Sequence, residues 1–141
     1  MIRFKPCEDW HIVLIEAQDS QIGEKELGAG AVGNYVENSL ALSCWIDDAC
    51  VGAAGIRPVW PGRAVAWMLL GRGARPAMLA IARKLRFVLD TYPANRIEMT
   101  VRANFLPGCR LAALLGFGEE ARLASFYPDG SAARLYARLR G

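Results

Sequence analysis

The sequence predicts an α/β domain built on a mixed sheet. Three observations lead there: three strand-like runs follow one another between residues 40 and 70, an amphipathic helical run follows Pro76, and an alternating strand at 96–101 precedes a second helix. The 141 residues, 53% hydrophobic and 22% charged, suit one compact domain spanning residues 1–141 with a core of its own.

In chain order, residues 2–5 read as a short strand ended by Pro6, after which Glu8 and Asp9 put negative charge where a helix's first turn favours it. That helix is expected to run to about Gln18, with Trp10, Val13, Leu14 and Ala17 forming its apolar stripe. Over residues 20–38, Gly23, Gly28, Gly30 and Gly33 punctuate the pattern, so one short helix or two broken ones are expected. Residues 40–46 and 50–56 read as a hairpin turning at Asp47-Asp48, and residues 58–62 supply the next turn. Residues 63–70 form a third strand, apolar nearly throughout as suits a central strand covered on both faces.

The clearest helix follows, with Met78, Ile81, Ala82, Leu85, Val88 and Leu89 on one face and Pro76 in its first turn. In residues 96–102, Ile97, Met99 and Val101 alternate with Glu98, Thr100 and Arg102, a strand with one buried face. Residues 105–115 give a further helix with Leu111, Leu114 and Leu115 apolar and Gly116 as its C-cap. Two strands, 118–126 and 132–139, close the chain around a turn at Pro128-Asp129-Gly130.

Composition narrows the function classes. No apolar run reaches the 20 or so residues that a membrane span needs, and the N-terminal segment has no signal-peptide core, so a cytoplasmic protein away from membranes is expected. Cys7, Cys44, Cys50 and Cys109 form no CxxC pair, and with a single histidine, His11, no metal site is expected. Cys44 and Cys50 flank the hairpin turn, but a reducing compartment favours four buried thiols. His11, placed on the first helix, is expected at the surface or the core edge.

Charge is uneven: residues 1–70 carry five basic and nine acidic residues, residues 71–141 twelve and five. Fourteen of the basic residues are Arg, whose planar fork suits phosphate. A net charge of +3 without interleaved aromatics does not describe a nucleic-acid surface, and none is expected.

The element order resembles that of the GNAT superfamily of acyl-CoA N-acyltransferases over nearly the whole chain. Asn104 followed by Leu111-Ala112-Ala113-Leu114-Leu115-Gly116-Phe117 is similar to that family's Asn, helix and Gly-Phe segment. Residues 68–76 sit where such enzymes have a strand, a phosphate loop and a helix, although Arg72 to Ala77 is a degenerate form lacking the pattern's second pair of glycines. The resemblance implies a mostly antiparallel central sheet of about six to seven strands flanked by about four helices. It also implies acetyl-CoA as cosubstrate, an amine as acceptor and N-acetyl transfer. The implied cofactor residues are Met68, Leu69, Leu70, Arg72, Gly73, Ala74, Arg75 and Asn104, with pyrophosphate at residues 71–77 and pantetheine beside residues 68–70 and Asn104.

Many members carry a tyrosine acid in the helix before Gly-Phe; counting back, Ala112 stands there. Tyr127 and Cys109 are open substitutes, and Glu98, Asp47 and Asp48 are candidate bases whose plainer reading is solvated charge. Trp45, Trp60 and Trp67 are open between acceptor pocket and core. The acceptor is open among peptide N-termini, lysine, polyamines and aminoglycosides. A narrower similarity, to GNAT-like proteins of tailed phages, implies an alternative: a virion or assembly protein that keeps the fold without catalysis, with virion proteins or a second copy as partners.

Overall fold

The computed structural model describes residues 1–16 and 39–140. Its elements are β1 (Ile2–Pro6), α1 (Asp9–Leu14), β2 (Leu40–Ile46), β3 (Ala49–Trp60), β4 (Arg63–Leu70), a 3-10 turn (Arg72–Ala77), α2 (Met78–Thr91), β5 (Arg96–Arg102), α3 (Leu106–Leu114), β6 (Gly118–Leu123) and β7 (Ala133–Leu139). The seven strands form one mixed sheet in the order β1-β2-β3-β4-β5-β7-β6. Among the described residues there are three α-helices. The helix or helices expected over residues 20–38 lie outside the described residues.

The chain divides into two compact units, Met1–Arg57 with Ala66–Lys84 and Pro58–Val65 with Leu85–Gly141. In the first, β1 and β3 pair antiparallel with β2 on either side. The hairpin turns at Asp47-Asp48 as the sequence predicts, with Asp47 at φ 51°. A register shift between Cys44 and Trp45 sets Cys44 opposite Gly52 and Cys50 opposite Trp45. The core here gathers Cys7, Ile12, Ile15, Ala41, Trp45, Cys50, Ala53 and Leu69, with Trp67 packed against it. Gly55 makes room for Trp67, since a Cβ there would fall 2.7 Å from the indole.

α1 departs from expectation. It stops at Leu14, with Ile15 extended, rather than running to about Gln18. His11, Ile12 and Ile15 are buried while Trp10, Val13 and Leu14 are more than half exposed, so these members of the expected stripe are on the wrong face; Ala17 lies outside the described residues. A helix of under two turns gives periodicity too few repeats to fix its phase.

β3 also differs, running through Pro58 to Trp60 and leaving only Pro61-Gly62 as the turn. Its pairing with β2 ends at Leu40↔Ile56, so Pro58 lies beyond that ladder, where its missing N–H costs no bond to β2.

In the second unit, β5 pairs parallel with β4 over only three residues, Arg63↔Arg96, Ala64↔Ile97 and Val65↔Glu98, while both strands run on past the last pair. β7 pairs antiparallel with β5 and with β6. The Gly62 carbonyl accepts the amides of Asn95 and Arg96 at 2.9 and 3.0 Å, which fixes the start of β5 beside the start of β4. Ile97, Met99 and Val101 are buried as their alternation predicts. Glu98 is buried too, against expectation. α3 ends at Leu114, with Leu115 rather than Gly116 as its C-cap and Gly116 following at φ 92°; it buries Cys109 and Ala112, whereas Leu114 is exposed.

Candidate functional site

The turn after β4 is built around Gly71. A Cβ there would lie 2.9 Å from the Glu16 carbonyl oxygen and 3.0 Å from both the Val51 oxygen and Ile15 Cγ2, so only glycine fits without shifting backbone. The Gly71 amide donates to the Val51 carbonyl at 2.7 Å and the Arg72 amide to the Glu16 carbonyl at 2.8 Å. Those two donors are therefore spent inside the protein. Arg72, Gly73 and Arg75 are exposed, and Ala74 and Ala77 are buried. Pro76 lies within the 3-10 turn ahead of α2.

The local charge suits a pyrophosphate group, with two guanidiniums on an exposed turn that leads directly into a 14-residue helix. The side chains bring more of that fit than the first amides do. Ahead of the turn, Leu69 and Leu70 are buried and Met68 half-buried at the end of β4.

In the second unit, Asn104 is exposed in the turn that leaves β5 for α3. Ala112, the position implied for a tyrosine acid, is fully buried. Cys109 is also buried, its Sγ 3.9 Å from the Arg102 carbonyl oxygen.

Of the candidate bases, Asp48 is exposed in the hairpin turn, while Glu98 and Asp47 are engaged elsewhere. Glu98 receives Arg63 through Nε at 2.7 Å and Nη2 at 2.9 Å, and Arg96 through Nε at 2.9 Å. The hydrogen bonds from Arg63 and then Arg96 outweigh burial and hold its carboxyl down at about 2, far from proton-accepting work at neutral pH. Arg96 reaches onward to Glu120, so four charges alternate in sign. Asp47 binds the Met1 ammonium at 2.7 Å, which lowers its pKa.

The aromatic candidates divide. Trp45 is core, and its indole N–H donates to Ser43 Oγ at 2.9 Å. Trp67 packs on the same core. Trp60 is exposed and carries the Arg63 guanidinium 4.4 Å from its ring centroid.

Two groups escaped the sequence reading. The first is a clamp on the segment between β6 and β7. Arg102 Nη1 donates to Asp129 Oδ2 at 3.0 Å and to Ser131 Oγ at 2.5 Å, and the guanidinium lies 4.2 Å from the Tyr127 ring centroid. Asp129 Oδ1 accepts from the Ser131 amide and hydroxyl, and those bonds hold its carboxyl down at about 2. The ring face of Tyr127 is thereby covered by Arg102.

The second is a buried polar chain through His11, which is 2% exposed rather than at the surface or core edge. The Glu8 amide donates to His11 Nδ1 at 3.1 Å, and Ser43 Oγ stands 2.9 Å from the same nitrogen. The only sequence signal for it was a lone histidine three residues after Glu8, the spacing of a helix capping box.

No protein-family model matches the chain, and no curated protein matches it. Solved structures do. The ribosomal-protein-S18-alanine N-acetyltransferase from Escherichia coli aligns over 99% of this chain and 94% of its own, at 18% identity and a TM-score of 0.74. Ard1 from Thermoplasma volcanium aligns over 98% and 97%, at 14% identity and a TM-score of 0.77. A spermidine N-acetyltransferase chimera from Vibrio cholerae and hSSAT aligns over 98% and 95%, at 13% identity and a TM-score of 0.68. At these identities the likeness is one of fold, and the fold is that of the GNAT acetyltransferases.

Proposed function

We propose that this GNAT-fold chain is an acetyl-CoA-dependent N-acetyltransferase of the cytoplasm. The observation that carries the reading is the near-full-length alignment onto enzymes named for acetyl transfer to an alanine of a ribosomal protein and to spermidine. On this reading Arg72 and Arg75 neutralise the pyrophosphate, Gly73 lets it approach the turn, and Ala74 roots the turn in the core. The pantetheine arm runs beside Met68, Leu69 and Leu70. The acceptor nitrogen attacks the thioester carbonyl carbon, the C–S bond breaks, and the proton lost by the amine balances the thiol formed. With Glu98 held by arginines and Ala112 apolar, positioning of the two substrates carries the rate.

Calorimetric titration with acetyl-CoA tests this. The wild-type chain binds in the micromolar range, and the Arg72→Ala/Arg75→Ala variant loses at least tenfold in affinity. No heat of binding at millimolar acetyl-CoA would overturn the reading. That result would favour an assembly role in which the fold is kept without catalysis, a second reading to which the buried Ala112 lends weight. The comparisons give no support to a phage origin.

A further inference from the structure

His11 ties the start of α1 to β2, and the segment after α1 ends on the turn that the proposed function assigns to pyrophosphate. Its Nδ1 faces a backbone donor, the Glu8 N–H at 3.1 Å, so that nitrogen carries a lone pair and the proton sits on Nε2, 3.7 Å from Glu8 Oε2. Ser43 Oγ, which accepts the Trp45 indole N–H, has its own proton to offer to Nδ1 at 2.9 Å or to the Lys5 carbonyl at 3.4 Å. The rings of Trp10 and Trp45 stand edge-on to the imidazole at 4.2 and 5.2 Å. His11 thus takes the place that Glu or Gln has in an ordinary capping box, and it is the chain's only histidine.

Downstream of this cap, Ile12 and Ile15 are fully buried, the Glu16 carbonyl accepts the Arg72 amide at 2.8 Å, and Ile15 closes on Gly71. We propose that His11 is a proton-sensitive latch on the 71–77 turn: protonation at Nδ1 sets N–H against N–H at Glu8, uncaps α1, and loosens the Glu16 contact that shapes the turn. The inference deepens the proposed function by giving its cofactor site a regulation, and for that part it rests on that reading.

The charged groups facing the imidazole are Glu8 at the start of α1 and Lys5 on β1; the β2 residues against it, Ser43 and Trp45, are uncharged. Burial, with a smaller push from Lys5 and against the pull of Glu8, lowers the His11 pKa below its ordinary 6.5. The neutral, latched form therefore holds above that value and is lost as the pH falls through the lowered one.

The test uses two readouts on the full chain. Acetyl-CoA affinity is measured from pH 7.5 to 5.0 for wild type and for His11→Gln, whose side-chain carbonyl accepts the Glu8 amide without titrating. Wild type loses about fivefold more affinity over that range than the variant, the factor that one helix cap carries. Equal slopes would overturn the latch. Independently of any ligand, hydrogen-exchange protection factors of the Glu8 and Arg72 amides in wild type fall together as His11 protonates. Protection that does not change with His11 charge, or a proton on Nδ1 by nitrogen NMR at pH 7.5, would overturn it as well. Coupled loss of protection in a chain that binds no acetyl-CoA supports the latch and overturns the enzymatic reading alone.

Discussion

Glu98 meets three guanidinium nitrogens from two strands, and its side chain is 11% exposed against about a third for Arg63 and Arg96. Neutralising this carboxylate leaves Arg63 beside Arg96 without its counter-charge, and leaves Arg96 with Glu120 alone. Glu98→Gln is expected to destabilise the fold by about 2–3 kcal/mol, below the usual cost of breaking a fully buried pair because both arginines keep water contact, as read from urea unfolding at pH 7. The sign follows from a carboxyl held at about 2 rather than 4.5: its contribution is complete above the ordinary value and lost as the pH falls from 4.5 towards 2. The variant therefore shows a shallower loss of stability over that acid range; an unchanged acid limb would remove Glu98 from the account. Alternation along 96–102 placed Glu98 on the solvent face, and nothing local contradicts it. Its partner Arg63 is 35 residues away in sequence, so the burial is visible only once the strands are paired. His11 escaped for a related reason: its acceptor role depends on Ser43, 32 residues further on.

The connection between β6 and β7, residues 124–132, is longer than an antiparallel pair needs, and it is ordered by one strand end. Besides the Arg102 clamp, the amides of Phe126 and Tyr127 share the Ser131 carbonyl, and the Ala103 amide takes the Ala132 carbonyl. Phe126 is left half exposed, edge-on to Tyr127 at 5.0 Å. Arg102→Ala is expected to expose residues 124–131 to limited proteolysis while unfolding still occurs as one transition; cleavage at the wild-type rate would mean the backbone bonds suffice alone. Arg102→Lys restores little of the protection, because an ammonium lacks the planar fork that bonds and stacks together. Elements with enough repeats were legible from sequence: α2 buries Ile81 and Leu89 and half-buries Met78, Ala82, Leu85 and Val88, the face its periodicity names. The 118–126 strand, by contrast, ends at Leu123, because Ser125 turns to φ 52° to begin the clamped segment.

At the scale of the whole molecule, the mixed sheet and the element order were legible because the strands carry apolar runs or, at 96–102, alternation, and the turns between them carry their own punctuation. The chemistry was less so: the turn proposed for pyrophosphate stands out in sequence by Gly71, Gly73 and their arginines, whereas the need for Gly71 comes from Glu16 and Val51, which only folding brings near. With Glu98 and Asp47 committed to cations, neither serves as base in the proposed reaction, and on that reading the acceptor reacts as a free amine. At saturating acetyl-CoA and above pH 7, kcat/KM for the acceptor is expected to rise tenfold per pH unit until the amine's own pKa; a plateau near neutrality would reveal a resident base. The four cysteines lead somewhere different. All are buried thiols, burial raises those of Cys44 and Cys50 and pushes that of Cys7 up to about 12, and the shifted β2–β3 register sets neither hairpin cysteine across from the other. Sulfur in this protein therefore serves as packing material, with little thiolate for an oxidant to find at Cys7, Cys44 and Cys50. Aerobic handling without added reductant leaves those three residues unaltered, and the first unit keeps its core in oxidising and reducing surroundings alike.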